Sequence, residues 1–128
     1  MIGYVTLGTN DIERGAKFYD ALLAEVGATR FMEMEKFIAW AITSQAPALS
    51  ISKPANGNSA TIGNGVMVAL GVENTNQVDK VYAKALELGG TCEGAAGPRG
   101  GNFYAGYFRD LDGNKLNVFC MTSATKKT

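Results

Sequence analysis

The sequence predicts an α+β fold built from two paired βαβββ modules. Three observations carry this. The chain repeats itself: laying Met67 on Tyr4 puts Val5 on Val68, Leu7 on Leu70, Gly8 on Gly71, Tyr19 on Tyr82, Leu23 on Leu86 and Gly27 on Gly90. Each copy holds one stripe of apolar residues three and four apart, the spacing of a helix face, set among segments of strand character. The ends of the two copies also match, Leu49-Ser50-Ile51 against Leu116-Asn117-Val118. Neither half can bury both sides of such a sheet alone, so the halves are expected to pair.

Taken in order, Met1 to Gly8 alternates as a strand. Asn10 is the expected helix cap, with Glu13 three residues on. Ile12, Ala16, Tyr19, Leu23 and Val26 form the first apolar stripe, ended by Gly27. Thr29–Glu35, Phe37–Thr43 and Leu49–Ser52 are the next strands. Residues 53–64 hold Pro54, Asn56, Gly57, Asn58, Ser59 and Gly63, a loop by composition. This divides the single domain, residues 1–128, into module one (about 1–53), a linker (54–62) and module two (about 63–121). Val66–Val72 is a strand, and Asn74–Asn76 offers the second cap. Val78, Val81, Tyr82, Ala85 and Leu88 form the second stripe, ended by Gly89-Gly90. Thr91–Glu93 is a short strand, and Gly94–Gly101 reads as a glycine-rich loop. Phe103–Arg109 and Lys115–Met121 are strands joined by the turn Asp110-Leu111-Asp112-Gly113-Asn114, whose Asp and Asn side chains suit turns.

Composition narrows the function. Lys plus Arg and Asp plus Glu both number 12, so no broad pull toward nucleic acid or an acidic membrane is expected. Lys126-Lys127 is too short a basic tail to change this. No N-terminal run resembles a signal peptide and no stretch approaches a membrane span, so a cytoplasmic protein is expected. Cys92 and Cys120 lack metal-site spacing and read as reduced thiols. There is no histidine at all. That excludes Ser-His and Cys-His nucleophile systems and removes the commonest ligand of transition metals.

Several segments together resemble the vicinal oxygen chelate superfamily, the glyoxalase I, bleomycin-resistance and extradiol dioxygenase group. They are Ile2-Gly3-Tyr4-Val5-Thr6-Leu7, Phe18-Tyr19, Gly63-Asn64-Gly65-Val66-Met67 and the Asp-Leu-Asp-Gly-Asn turn, in that order along the repeat. The resemblance implies paired modules that curl a mixed sheet around a cavity with helices outside, and a homodimer. It also implies four metal-ligand positions, which here are Tyr4, Ser50, Met67 and Asn117. The repeat pairs Tyr4 with Met67 and Ser50 with Asn117, in support of that mapping. None of the four is a histidine or carboxylate, so the sequence departs from the family at every ligand position. No metal and no cofactor are expected, and metal-dependent isomerisation or dioxygenation falls with them.

A small-molecule pocket with apolar and aromatic walls remains as the expected site. Strand alternation from Tyr4 and Asn117 turns Thr6, Met67, Ala69, Lys115 and Phe119 the same way, and the family register adds Phe103, Ala105 and Tyr107. Trp40 and Tyr104 are further candidates, the facing of Trp40 being open. Arg99 and Arg109 offer planar donor forks for an anion. The leading expectation is a metal-free protein that binds a small, partly aromatic or apolar molecule. The alternatives are a metal-independent lyase, isomerase or transferase using Tyr and Arg, with Glu33 or Glu35 as a base, and a non-catalytic dimeric module.

Overall fold

The computed structural model describes residues 1–122; Lys126-Lys127 lies outside them. The elements run β1 (Tyr4–Gly8), α1 (Ile12–Ala24), β2 (Thr29–Glu33), β3 (Phe37–Ala41) and β4 (Ala48–Ser52), then β5 (Val68–Gly71), α2 (Thr75–Glu87), β6 (Thr91–Pro98), β7 (Phe103–Arg109) and β8 (Lys115–Met121). This is βαβββ twice. The strands form two four-stranded sheets, ordered β1-β4-β3-β2 and β5-β8-β7-β6. In each, the first strand pairs in parallel with the last and the other pairs are antiparallel. No helix among the described residues is long and apolar enough to cross a membrane.

Alternation assigns one face of each sheet to a common core. Leu7, Ile38, Trp40, Leu49 and Ile51 from the first sheet meet Phe108, Leu116, Val118 and Cys120 from the second, with Phe18, Tyr19, Leu22, Val78 and Val81 of the helices among them. Removing this apolar surface from water is the main drive to the fold. The helices therefore cover one face of each sheet. The opposite faces, bearing Tyr4 and Ser50 on one sheet and Met67 and Asn117 on the other, point away from that core.

Two local expectations are corrected. The cap of α1 is Asp11, whose carboxylate accepts from the Arg14 amide; Asn10 lies one residue earlier and binds the loop instead, through Ala60. The Gly94–Gly101 stretch is not a free loop. Strand β6 continues through it to Pro98, with pairing shifts around Gly94 that let glycine absorb the irregularity. Its pairing with β7 outweighs its weak strand propensity.

The two modules are tied together by the Asp110–Asn114 turn. Asp112 accepts from Thr9 Oγ1 at 2.6 Å and from the Asn10 amide and Arg14 Nη2, both at 2.9 Å. Asn114 Nδ2 donates to the Gly8 carbonyl at 2.9 Å. Asp112 and Asn114 thus do more than turn the chain, since they fasten the second module to the end of β1 and the start of the first helix.

Candidate functional site

The outward faces of the sheets carry the candidate site, and strand parity decides what lies there. On the first sheet Tyr4, Thr6, Ala48 and Ser50 share a face with Phe37 and Ala39. Tyr4 is 63% exposed and stands edge-on to Phe37, ring centroids 6.1 Å apart. A bulge at Arg30 to Met32 turns the β2 side chains, so that Phe31, Met32 and Met34 join this face. Together they border a cavity of about 540 Å³ with apolar walls. Ser50 is fully buried beneath it, sharing a 2.8 Å hydrogen bond with Thr6 and donating to the Val5 carbonyl.

On the second sheet the face holds Ala69, Lys115, Asn117 and Phe119 beside Phe103, Ala105 and Tyr107, and Met67, just before β5 rather than inside it, lines a cavity with Lys115. Phe103 and Phe119 stack at 5.4 Å. Arg99 and Lys115 both lie over the Tyr107 ring, at 5.4 and 5.7 Å from its centroid. Asn117 is 2% exposed, and its Oδ1 is buried without a hydrogen-bond partner. No protein group donates to this atom, although buried polar atoms are normally paired. A second cavity, about 550 Å³, lies where Ile62, Val66 and Met67 meet Arg109 and Lys115.

Trp40, Tyr104 and Glu33 lie on the helix side instead. Trp40 is core: it packs on Tyr19 and donates to Asp20 Oδ1 at 2.8 Å. Tyr104 alternates away from Phe103 and Ala105 and donates to Asp79 of α2 at 2.7 Å, which raises its phenol above the ordinary value. Glu33 pairs with Arg30 there. Arg99 folds back on its own strand, donating to the carbonyls of Ala95, Gly97 and Pro98. Arg109 is held by Glu93 at 3.0 Å and by the Gly113 carbonyl. The signal missed in the sequence is Lys115, which alternation placed on this face without assigning it a role.

The four residues that the resemblance maps onto ligand positions do not suit a divalent transition metal. Tyr4 and Ser50 lie on one sheet, Met67 and Asn117 on the other, and Ser50 is already engaged by Thr6 and Val5. Their donors are a phenol, a hydroxyl, a thioether and an amide, where such a metal wants imidazole or carboxylate. The described residues hold no group of three or more His, Cys, Asp or Glu side chains able to bind a metal ion.

Known proteins place this geometry. The model of the Glyoxalase/Bleomycin resistance protein/Dioxygenase superfamily matches residues 1–118. A glyoxalase/bleomycin resistance protein from Albidiferax ferrireducens is 32% identical, with a TM-score of 0.87 over 95% of this chain and 99% of that one. A hypothetical protein from S. aureus is 27% identical, TM-score 0.74, over 94% of this chain and 92% of its own. A lactoylglutathione lyase from Agrobacterium tumefaciens shares the fold at 17% identity and TM-score 0.67, over 94% and 92% of the two chains. No curated protein matches. Two βαβββ modules with this turn, and a family match spanning both of them, lead to one conclusion: the chain belongs to the glyoxalase/bleomycin resistance protein/dioxygenase superfamily.

Proposed function

We propose that this chain is a metal-independent member of its superfamily that binds a small, partly aromatic or apolar molecule on the outward sheet faces. The observation that carries the reading is the donor set Tyr4, Ser50, Met67 and Asn117, which keeps the family's positions and lacks its metal chemistry. The cavities bordered by these faces fall in the size range of small-molecule sites, roughly 300–1,000 Å³. Their walls are mainly apolar, as such sites usually are.

A homodimer belongs to the same reading. The two faces point away from the shared core, so within one chain they do not enclose a ligand together. Large apolar side chains stand exposed on them, Tyr4, Phe31, Met32, Met34 and Met67 among others. Contiguous exposed apolar surface of this kind marks an interaction surface. Setting the first-sheet face of one copy against the second-sheet face of another would cover these side chains and close a cavity between them.

Native mass spectrometry of protein purified without chelator tests both parts. The expected result is a dimer without stoichiometric metal, carrying a small-molecule adduct or taking up an added aromatic ligand. A stoichiometric transition metal would overturn the metal-independent reading. A monomer that still bound ligand would overturn the cross-chain cavity alone.

A further inference from the structure

We infer that the ligand of this site is an anion with an aromatic or apolar body, and that Lys115 holds its negative charge. The inference rests on the small-molecule reading above and names the chemical class it leaves open. The cavity of about 550 Å³ beside β8 has two charged lining residues, Lys115 and Arg109, both cations. The rest of its wall is Met67, Val66, Ile62 and the glycine-bracketed Asn64. A negative group at the cation pair would leave its carbon frame against the apolar wall.

The charge on this face is not answered by the protein. Among the described residues no carboxylate pairs with Lys115 or Arg99. Arg99 is met by backbone carbonyls and the π face of Tyr107, and Lys115 by that same ring, none of which carries a counter-charge. An anion in the cavity would gain charge-assisted hydrogen bonds from Lys115, which no carboxylate of the described residues engages. Arg109 uses Nε on Glu93 and Nη1 on Gly113, which leaves Nη2 for a ligand. That makes three cationic side chains against the single carboxylate of Glu93. Two residues along from Lys115 on the same face, Asn117 Oδ1 is buried and unpartnered. The first-sheet cavity around Tyr4, Phe37 and Met32 has no charged residue in its wall, so the charge preference belongs to the second sheet.

Calorimetric titration of the purified full chain with 2-naphthoate and its neutral isostere 2-naphthamide tests this. Wild type should bind naphthoate roughly tenfold or more tightly than naphthamide, the yield of one charge-assisted hydrogen bond. The preference should disappear in Lys115→Met, return in Lys115→Arg and shrink as salt is added. Lys115→Gln, with its thermal melt compared to wild type, guards against a folding defect in the Met variant. Equal binding of the two probes would overturn the anion inference and leave the small-molecule reading standing. A naphthoate preference untouched by Lys115→Met would overturn the assignment to Lys115. Binding of neither probe would overturn the small-molecule reading, and the inference with it.

Discussion

The Tyr19 hydroxyl donates a 2.6 Å hydrogen bond to Asp110 Oδ2, joining residues 91 positions apart in the chain. Tyr19 is on α1 and Asp110 opens the last turn, so this bond links the modules through the core. Asp110 also accepts from the Asp112 and Asn114 amides and from Asn114 Nδ2. The phenol therefore braces the carboxylate that shapes the turn.

Removing that hydroxyl should weaken the whole fold rather than one module. Tyr19→Phe keeps the ring and leaves Asp110 one donor short in a buried place. A cost of about 2 kcal/mol is expected for losing a buried hydrogen bond to a charged group. Urea unfolding checks it: the midpoint should fall while the transition stays single. Two separate transitions would mean that the modules are held together by something other than this bond.

The same pair sets an alkaline limit. Burial pushes the Tyr19 phenol well above its ordinary value, and the neighbouring charges of Asp110 and Asp112 add to the rise. A group whose folded pKa is raised contributes stability fully present below its unfolded value, about 10 for tyrosine. That contribution is lost as pH climbs through the folded value. Stability of wild type should therefore drop above pH about 10 more steeply than that of Tyr19→Phe. Parallel slopes for the two proteins would show that Tyr19 is not the group responsible.

An acid limit comes from Asp20. Hydrogen bonds from Arg30 lower its carboxyl, burial works the other way, and the Trp40 indole lowers it further. A lowered folded pKa gives stability present above the unfolded value near about 3.9, lost as pH falls through the folded one. The Asp20 side chain is 43% exposed, so solvent screening keeps the effect small, under about 1 kcal/mol. Asp20→Asn retains an acceptor for Trp40 and loses the charge. It should be slightly less stable than wild type at neutral pH, with the gap closing in acid. A gap that widened in acid would contradict the sign.

Asn117 presents a conflict between stability and binding. Its Oδ1 is buried and accepts no hydrogen bond from any protein group. Asn117→Leu has a similar branched shape and no polar atoms, and should raise stability by about 1 kcal/mol. It should also reduce affinity for a hydroxylated aromatic ligand, since the acceptor is gone. Thermal melts and calorimetry on the same samples separate the two effects. A variant that lost stability would show that the amide is satisfied in the working protein, by water or by the partner copy.

How much of this was legible in the sequence depends on the kind of residue. The repeat and the two stripes placed both helices and the strands that feed the core, because buried apolar residues must follow the period of their element. Alternation put Met67, Lys115, Asn117 and Phe119 on one face for the same reason. Arg99 and Trp40 were harder. A long polar or amphipathic side chain chooses its partner in three dimensions, and neither the β6 carbonyls around Arg99 nor Asp20 beneath Trp40 is visible in a linear pattern. The Gly94–Pro98 strand was hidden because its composition favours loops and only pairing with β7 makes it a strand. The mapping of Tyr4, Ser50, Met67 and Asn117 onto ligand positions comes from the family resemblance alone.

The end of α2 shows two glycines kept for different reasons, and substitution should tell them apart. Gly89 has φ of +102°, a left-handed conformation that side chains resist. Gly90 donates its amide to the Ala85 carbonyl at 2.8 Å, and a Cβ on it would lie 2.7 Å from the Arg109 carbonyl and 2.8 Å from that of Ala85. Both of those atoms are backbone and cannot rotate away. Gly89→Ala should cost about 1 kcal/mol, the ordinary penalty for the left-handed region. Gly90→Ala should cost more, about 2–3 kcal/mol, because α2 and the end of β7 must move apart. Gly90→Ala should also disturb Arg109 and weaken naphthoate binding, which Gly89→Ala should spare. Equal losses of stability from the two variants, read by urea unfolding, would show that the close approach at Gly90 is relaxed without cost.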